Sequence, residues 1–378
     1  MLTYLLNNIF IFLLMFFNRK LFLFFWILFS VSVIIYFLPT TGDDYIYYKG
    51  DYDSSFFDFE FPYFHSSYPL DAEPFYKFYT SVVKVIIGIP FNGFLVLNFV
   101  LCSLLLFKIL KHLFNDNSIV IFYLFSLLTI VPTIYYFSPR SSISFIFAVY
   151  AFIFYIQNKT FKGIFFSFIS IGFHSQFIPI LFILYLGNMY NKFILSKIER
   201  KRNYVIFFSL IIIFVLVLLL KYPILIYKII ILFVSSLPSA SLIEGKLHYF
   251  EMESGGIRMT SLLSIIVFPF LYFIAVRHNY FEKLFKNTLS SEMRYNFILF
   301  FGLSLLFSGI VNLIFWDFSH IASRISRFSD YMSLLILVPT ILLSMKNKFV
   351  LLPIFLCVLA ILVIYVYPTL YNFELSIF

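Results

Sequence analysis

Long uninterrupted apolar runs constrain this chain more than any other feature. A run of about 18 or more such residues reads as a membrane-spanning helix. The sequence supplies many, among them LFLFFWILFSVSVIIYFL at 21–38 and YVIFFSLIIIFVLVLLL at 204–220. With 62% hydrophobic and 12% charged residues, the chain is too apolar for a soluble domain. Only helices and closed barrels satisfy their backbone polar groups inside lipid, and the two-residue alternation of a barrel is absent. The fold class is therefore an all-α polytopic membrane protein of about 11–12 membrane segments. Spans are expected at 3–17, 21–38, 88–110, 118–137, 141–156, 204–220, 257–276, 295–316, 331–345 and 349–367, with a short hairpin over 161–190.

Cys102 and Cys357 both fall within apolar runs, which argues against a disulfide framework or a zinc site. The net charge of +9 is scattered between membrane segments and does not point to nucleic acid. At the N-terminus, Arg19-Lys20 leads directly into another apolar run without a small-residue cleavage site. This reads as a membrane segment and not a cleaved leader.

Basic residues accumulate in cytoplasmic loops. With Arg19-Lys20 inside and the chain alternating from there, most of the 27 Lys and Arg residues fall inside and most of the 18 Asp and Glu outside. Lys162 and Lys192 both require the inner side, so the chain between them must cross an even number of times. About 30 residues are too few for two full crossings. FISIGFHSQFIPIL must turn back near Gly172-Phe173-His174, setting His174 below the outer surface at the floor of a cavity. Broken helices of this kind persist where they are buried in protein or line water.

Arg140, in the turn SPRSS, then lies outside, where charge bias offers no reason for it. Other outer segments accompany it. The first, 39–84, is acid-rich, and from about 73 to 87 it carries an amphipathic helix. There Phe75, Phe78, Tyr79, Val82, Val83 and Ile86 share one face, with Pro74 in the first turn. This helix is expected to lie on the outer interface with Lys77 and Lys84 toward water. A second outer segment covers 221–256. The third, 317–330, sets Arg324 and Arg327 three residues apart on one helical face.

Arg140, Arg324 and Arg327 thus converge on one external cavity with His174 beneath. Guanidinium forks match phosphate oxygens, so an anionic lipid headgroup, a diphosphate, is the expected ligand. The Arg324 and Arg327 pair can equally serve a structural network with Asp317 and Asp330. Asp51-Tyr52-Asp53 has the form of a D-x-D metal site within an otherwise solvated acidic loop. No Walker loop, G-x-S-x-G or H-E-x-x-H motif occurs.

Three stretches resemble the EpsG-like branch of the Wzy-type bacterial polysaccharide polymerases. GDDYIYY, from Gly42 to Tyr48, matches that family's G-x-D-Y-x-x-Y with Asp44 at the acidic position, and EPFYKFY matches its E-x-x-[FY] at Glu73. SPRSSISFIFAVYAFIFYIQNKTFKGIFFSFISIGFHSQFIPILF matches an arginine after a turn, a basic turn, and a helix ending in histidine, which assigns Arg140 and His174. SRISRFSDY is similar to the late R-[IF]-x-x-[YF] motif, in register with either Arg324 or Arg327.

The resemblance implies a glycosyltransferase that polymerises polyprenyl-diphosphate-linked oligosaccharide repeats of capsule, exopolysaccharide or O-antigen. It would work at the outer face of the bacterial inner membrane, without metal or cofactor. Its partners would be that lipid-linked oligosaccharide, membrane lipid and a chain-length regulator. His174 is then the first candidate for general base, with Asp44 or Glu73 second. Arg140 stabilises the leaving diphosphate together with Arg324 or Arg327, and Tyr45, Tyr48 and Tyr331 contact the sugars. A flippase for the same lipid, or an O-antigen ligase or acyltransferase, are the alternative readings. No internal repeat of the kind transporters show is evident, and the largest outer loop comes early, whereas a ligase carries it late.

Overall fold

The computed structural model describes residues 21, 25–26, 28, 43–55, 73–114, 139–190, 263–285, 287–314 and 319–344. The spans expected at 3–17, 118–137, 204–220 and 349–367, most of 21–38, and the outer segment 221–256 lie outside them. The described residues are helical throughout their regular structure, with no strand among them. In chain order they form α1 (Asp43–Ser54), α2 (Pro74–Ser81), α3 (Phe91–Phe114), α4 (Pro139–Ile156), α5 (Thr160–Phe173), α6 (Ile178–Tyr190), α7 (Phe268–Arg277), α8 (Tyr280–Phe285), α9 (Ser291–Ile314), α10 (Ser319–Met332) and α11 (Val338–Ser344).

Three of these, α3, α4 and α9, are long and apolar enough to cross a membrane, and α4 is the most buried of them. Shorter apolar helices accompany them. The chain is an all-α, multi-pass membrane protein. The 24 residues of α3 and of α9 rise about 36 Å at 1.5 Å per residue, more than the ~30 Å hydrocarbon core.

The segment 161–190 folds back as expected. α5 ends at Phe173, His174 is extended (φ −163°, ψ 120°), a 3-10 turn covers Ser175–Phe177, and α6 returns. The 14 residues of α5 rise only ~21 Å. At the far end of the hairpin, Thr160 donates to Asn188 Oδ1 at 2.6 Å and Asn188 Nδ2 donates to the Tyr155 carbonyl at 2.9 Å. One buried amide therefore joins the ends of α4, α5 and α6. The α9 helix is tied to the same end, where Asn296 Nδ2 donates to the Ile156 carbonyl at 3.1 Å.

Helices in lipid gain little from burying apolar area and associate through close packing and interhelical hydrogen bonds. Serines join α4 and α5: Ser144 Oγ donates to the Ser170 carbonyl at 2.7 Å, and Ser170 Oγ to the Ser144 carbonyl at 2.9 Å. Around them lies an aromatic core, in which Phe145, Phe177 and Phe328 join α4, the 3-10 turn and α10. Below it, Phe297 packs against Phe152, Phe281 and Phe285.

The amphipathic helix is present as α2 with a π-helical turn, Val82–Ile87, ending at Gly88 in the left-handed region (φ 75°). Its orientation corrects the expectation. Tyr76, Lys77, Thr80, Ser81 and Val83 are buried, while Phe78, Val85, Ile86 and Ile87 are exposed. Lys77 does not face water. The expected apolar stripe divides: Phe75, Tyr79 and Val83 pack inward, while Phe78 and Ile86 are exposed. Lys84 donates to the Asp53 and Ser55 carbonyls, tying α2 to the end of α1. The late helix also differs in extent: α10 runs through a π-helical turn (Ser333–Leu337) directly into α11, so Arg324 and Arg327 stand on the extension of a longer helical path.

Candidate active site

Arg140 follows Pro139 in the first turn of α4. A cation there opposes the helix dipole, so its charge requires compensation from elsewhere. Glu73 supplies it from the start of α2: Arg140 Nη1 donates to Glu73 Oε2 at 2.6 Å. Tyr48, on α1, accepts from Nε at 3.2 Å and from Nη2 at 2.9 Å. The guanidinium also lies 4.9 Å from the Tyr48 ring centroid and 5.8 Å from that of Tyr76, within cation–π range. The Arg140 side chain is 13% exposed and that of Glu73 4%. Removing one partner from such a buried pair costs roughly 3–5 kcal/mol, because the other charge is left uncompensated.

The second oxygen of Glu73, Oε1, meets His174 Nδ1. A carboxylate on Nδ1 selects the tautomer in which that nitrogen carries the proton, leaving the Nε2 lone pair free to accept one. His174 is held from the backbone as well. Its N–H donates to the Ser170 carbonyl at 2.9 Å, and Ser144 Oγ approaches its carbonyl at 3.4 Å. Glu73 reaches it because Gly172 carries no side chain: a Cβ there would run into the Phe75 ring. Phe75 instead packs edge-on against Phe168 and Phe173 of α5 at 5.4 and 6.2 Å, and so carries the start of α2 onto the hairpin turn.

Arg327 enters from α10. Its Nη1 donates to Ser141 Oγ at 3.3 Å and Gln176 Oε1 at 3.4 Å. Among the described residues no carboxylate lies within ion-pair distance of it. Arg324, one turn earlier, is exposed. Of the two arginines it is thus Arg327 that joins the groups around Arg140 and His174. Asp330 is engaged by serines: Ser308 Oγ at 3.3 Å, Ser326 Oγ at 3.0 Å and Ser264 Oγ. It ties α10 to α9 and to the π-helical turn before α7 (Leu263–Val267). Asp317 lies outside the described residues.

The remaining expected residues are distributed as follows. Tyr331 packs edge-on against Phe145 at 5.3 Å. Asp44 and Tyr45 lie in α1, their side chains outside the described part of the structure. Asp51 is buried and Asp53 exposed, since positions two apart on a helix point to different sides, so the D-x-D pair does not converge. Ser141, Gln176 and Tyr76 were not anticipated. Ser141 and Gln176 lie within two residues of Arg140 and His174, and that adjacency was the one signal available.

The arrangement offers a histidine whose Nε2 meets no partner among the described residues, a carboxylate that orients it, and two guanidinium groups, one neutralised by that carboxylate and one hydrogen-bonded to neutral oxygens. Neither a curated protein nor a solved structure matches the chain. The model of the EpsG family matches residues 20–377, and the chain belongs to the EpsG family.

Proposed function

We propose that this protein is a membrane glycosyltransferase that polymerises lipid-linked oligosaccharide repeats of a capsule, exopolysaccharide or O-antigen. It would work at the extracytoplasmic face of the bacterial inner membrane. EpsG family membership points to polysaccharide polymerisation. The observation that carries the chemistry is the Glu73 bridge, one carboxylate holding His174 Nδ1 and Arg140 Nη1.

The donor is a growing glycan on a polyprenyl diphosphate, and the acceptor is a single lipid-linked repeat. An acceptor hydroxyl oxygen bonds to the donor's anomeric carbon as the bond from that carbon to the diphosphate oxygen breaks. The hydroxyl proton passes to His174 Nε2 and leaves later to the diphosphate or to water. Glu73 orients the imidazole and steadies the imidazolium that forms. Negative charge grows on the departing diphosphate, and Arg327, hydrogen-bonded among the described residues to the neutral oxygens of Ser141 and Gln176, meets it. Arg140 keeps Glu73 ionised and in place. Tyr48 and Tyr331 would contact the sugars; Asp44 and Tyr45 keep the roles their motif implies. The reaction draws on no nucleotide sugar, metal or cofactor, and a chain-length regulator is the expected protein partner.

The test is lipid extraction from a deletion strain complemented with wild type, Arg140→Ala or Arg327→Ala, scoring polymer and the sidedness of single lipid-linked repeats. Loss of polymer with externally exposed single repeats, in the null and in both variants, is the expected result. Removal of one such cation should lower the rate about 10²–10³-fold. Single repeats trapped inside would indicate a flippase, and undiminished polymer in the null would refute the assignment.

A further inference from the structure

The turn after His174 holds a buried donor that no described residue satisfies. Gln176 lies in the 3-10 turn Ser175–Phe177. That turn is clamped by fully buried Phe177, whose ring packs against Phe145 of α4 and Phe328 of α10 at 6.4 and 6.1 Å. The position of Gln176 between these helices is therefore set by packing. Its Oε1 accepts from Arg327 Nη1 at 3.4 Å. Its Nε2 is buried and meets no acceptor among the described residues.

Which end of the amide faces Arg327 follows from chemistry. A guanidinium only donates, so the oxygen must turn toward it and the NH2 away. A buried amide N–H without an acceptor is costly, and beside the Arg327 guanidinium a bound anion would supply that acceptor. Both groups here are donors, since the only acceptor of Gln176 is already taken by Arg327. A sugar hydroxyl can accept from these donors but brings no charge to meet the guanidinium. A phosphate oxygen accepts only and matches it.

We infer that Gln176 is a further binding residue, its Nε2 donating to a diphosphate oxygen of the lipid-linked substrate alongside the Arg327 guanidinium. This deepens the polymerase reading and rests on it. It also assigns Oε1 a second role, holding Arg327 in the orientation that presents its remaining N–H groups.

Binding of farnesyl diphosphate, a short soluble prenyl diphosphate, to the purified full chain in phosphatidylcholine nanodiscs tests this by calorimetry. Wild type should bind. Gln176→Leu should weaken binding about ten- to a hundredfold, the range for one hydrogen bond to a charged group. Gln176→Glu, of nearly the same size, should weaken it further, because its carboxylate pairs with Arg327 and repels the phosphate. Inorganic pyrophosphate binding as tightly as the prenyl ester, with the same dependence on Gln176, would assign the site to the anion itself. Tighter binding of the ester would assign it to the lipid. A melting curve for each variant checks folding, and the near-isosteric Glu variant carries the test if Leu is not tolerated. Wild-type affinity in both variants overturns the role of Gln176 and leaves the polymerase reading standing. Failure of wild type to bind any diphosphate overturns the diphosphate reading along with it.

Discussion

Glu73 faces two partners with one carboxylate, and the two contacts ask different things of it. Arg140 needs its charge, whereas His174 needs an acceptor at one particular place. Glu73→Gln keeps the shape and removes the charge, so both contacts weaken without a cavity being formed. On the proposed mechanism it should lower kcat about 10²–10⁴-fold, the usual range for general-base catalysis, with a smaller change in KM. Steady-state kinetics on a synthetic lipid-linked repeat separates the two. Arg140→Lys should not rescue function. An ammonium is a point charge and does not reproduce a fork that reaches Glu73 and Tyr48 through three nitrogens. The two late arginines should also differ. Arg327→Ala is expected to abolish polymer and Arg324→Ala to leave most of it, because Arg327 reaches Ser141 and Gln176 while Arg324 is exposed. Quantifying polymer by gel in complemented cells distinguishes them, and equal loss in both would contradict the assignment of register.

Among the elements, the α5–α6 hairpin is the one whose shape the site depends on. It is short for a membrane crossing, it turns at His174, and its open end is tied by Asn188. Asn188→Leu removes the acceptor for Thr160 and the donor to Tyr155, leaving buried polar groups unsatisfied at about 1–3 kcal/mol each. A lowered melting temperature in detergent, with catalysis less affected, is the expected outcome. Gly172→Val acts in the opposite sense. A side chain there meets the Phe75 ring, so the start of α2 must move and Glu73 with it. Activity should fall more than stability, and the histidine–glutamate contact should be the first thing lost. The pattern of α2 predicted the existence and length of that helix well, because apolar spacing and Pro74 are local signals. It misplaced Lys77, which is buried, and Phe78 and Ile86, which are exposed. Spacing identifies an apolar stripe but not whether lipid or protein will cover it, and here Lys77 and Thr80 are buried as well.

For the whole molecule, the charge distribution predicts a sidedness that labelling can check. In a background with Cys102→Ala and Cys357→Ser, a cysteine at exposed Lys49 of α1 should react with an impermeant thiol reagent from outside the cell. A cysteine at exposed Lys159, between α4 and α5, should react only after permeabilisation. Reversed reactivity would put the candidate site on the cytoplasmic side and remove the polymerase reading.

The all-α membrane class, the approximate bounds of the described spans and the turn at His174 were legible in the amino-acid sequence alone. Each follows from information within a few tens of residues: the length of an apolar run, the charges flanking it, or a stretch too short to cross twice. Only the tertiary structure decided that Glu73 joins Arg140 to His174, across 67 and 101 residues of chain. Only it decided that Arg327 reaches Ser141, 186 residues away, and that Lys77 of α2 is buried. Those outcomes depend on which helices pack together. Apolar periodicity does not encode helix pairing in lipid, where every apolar face is equally at home and neighbours are chosen by small residues and buried hydrogen bonds.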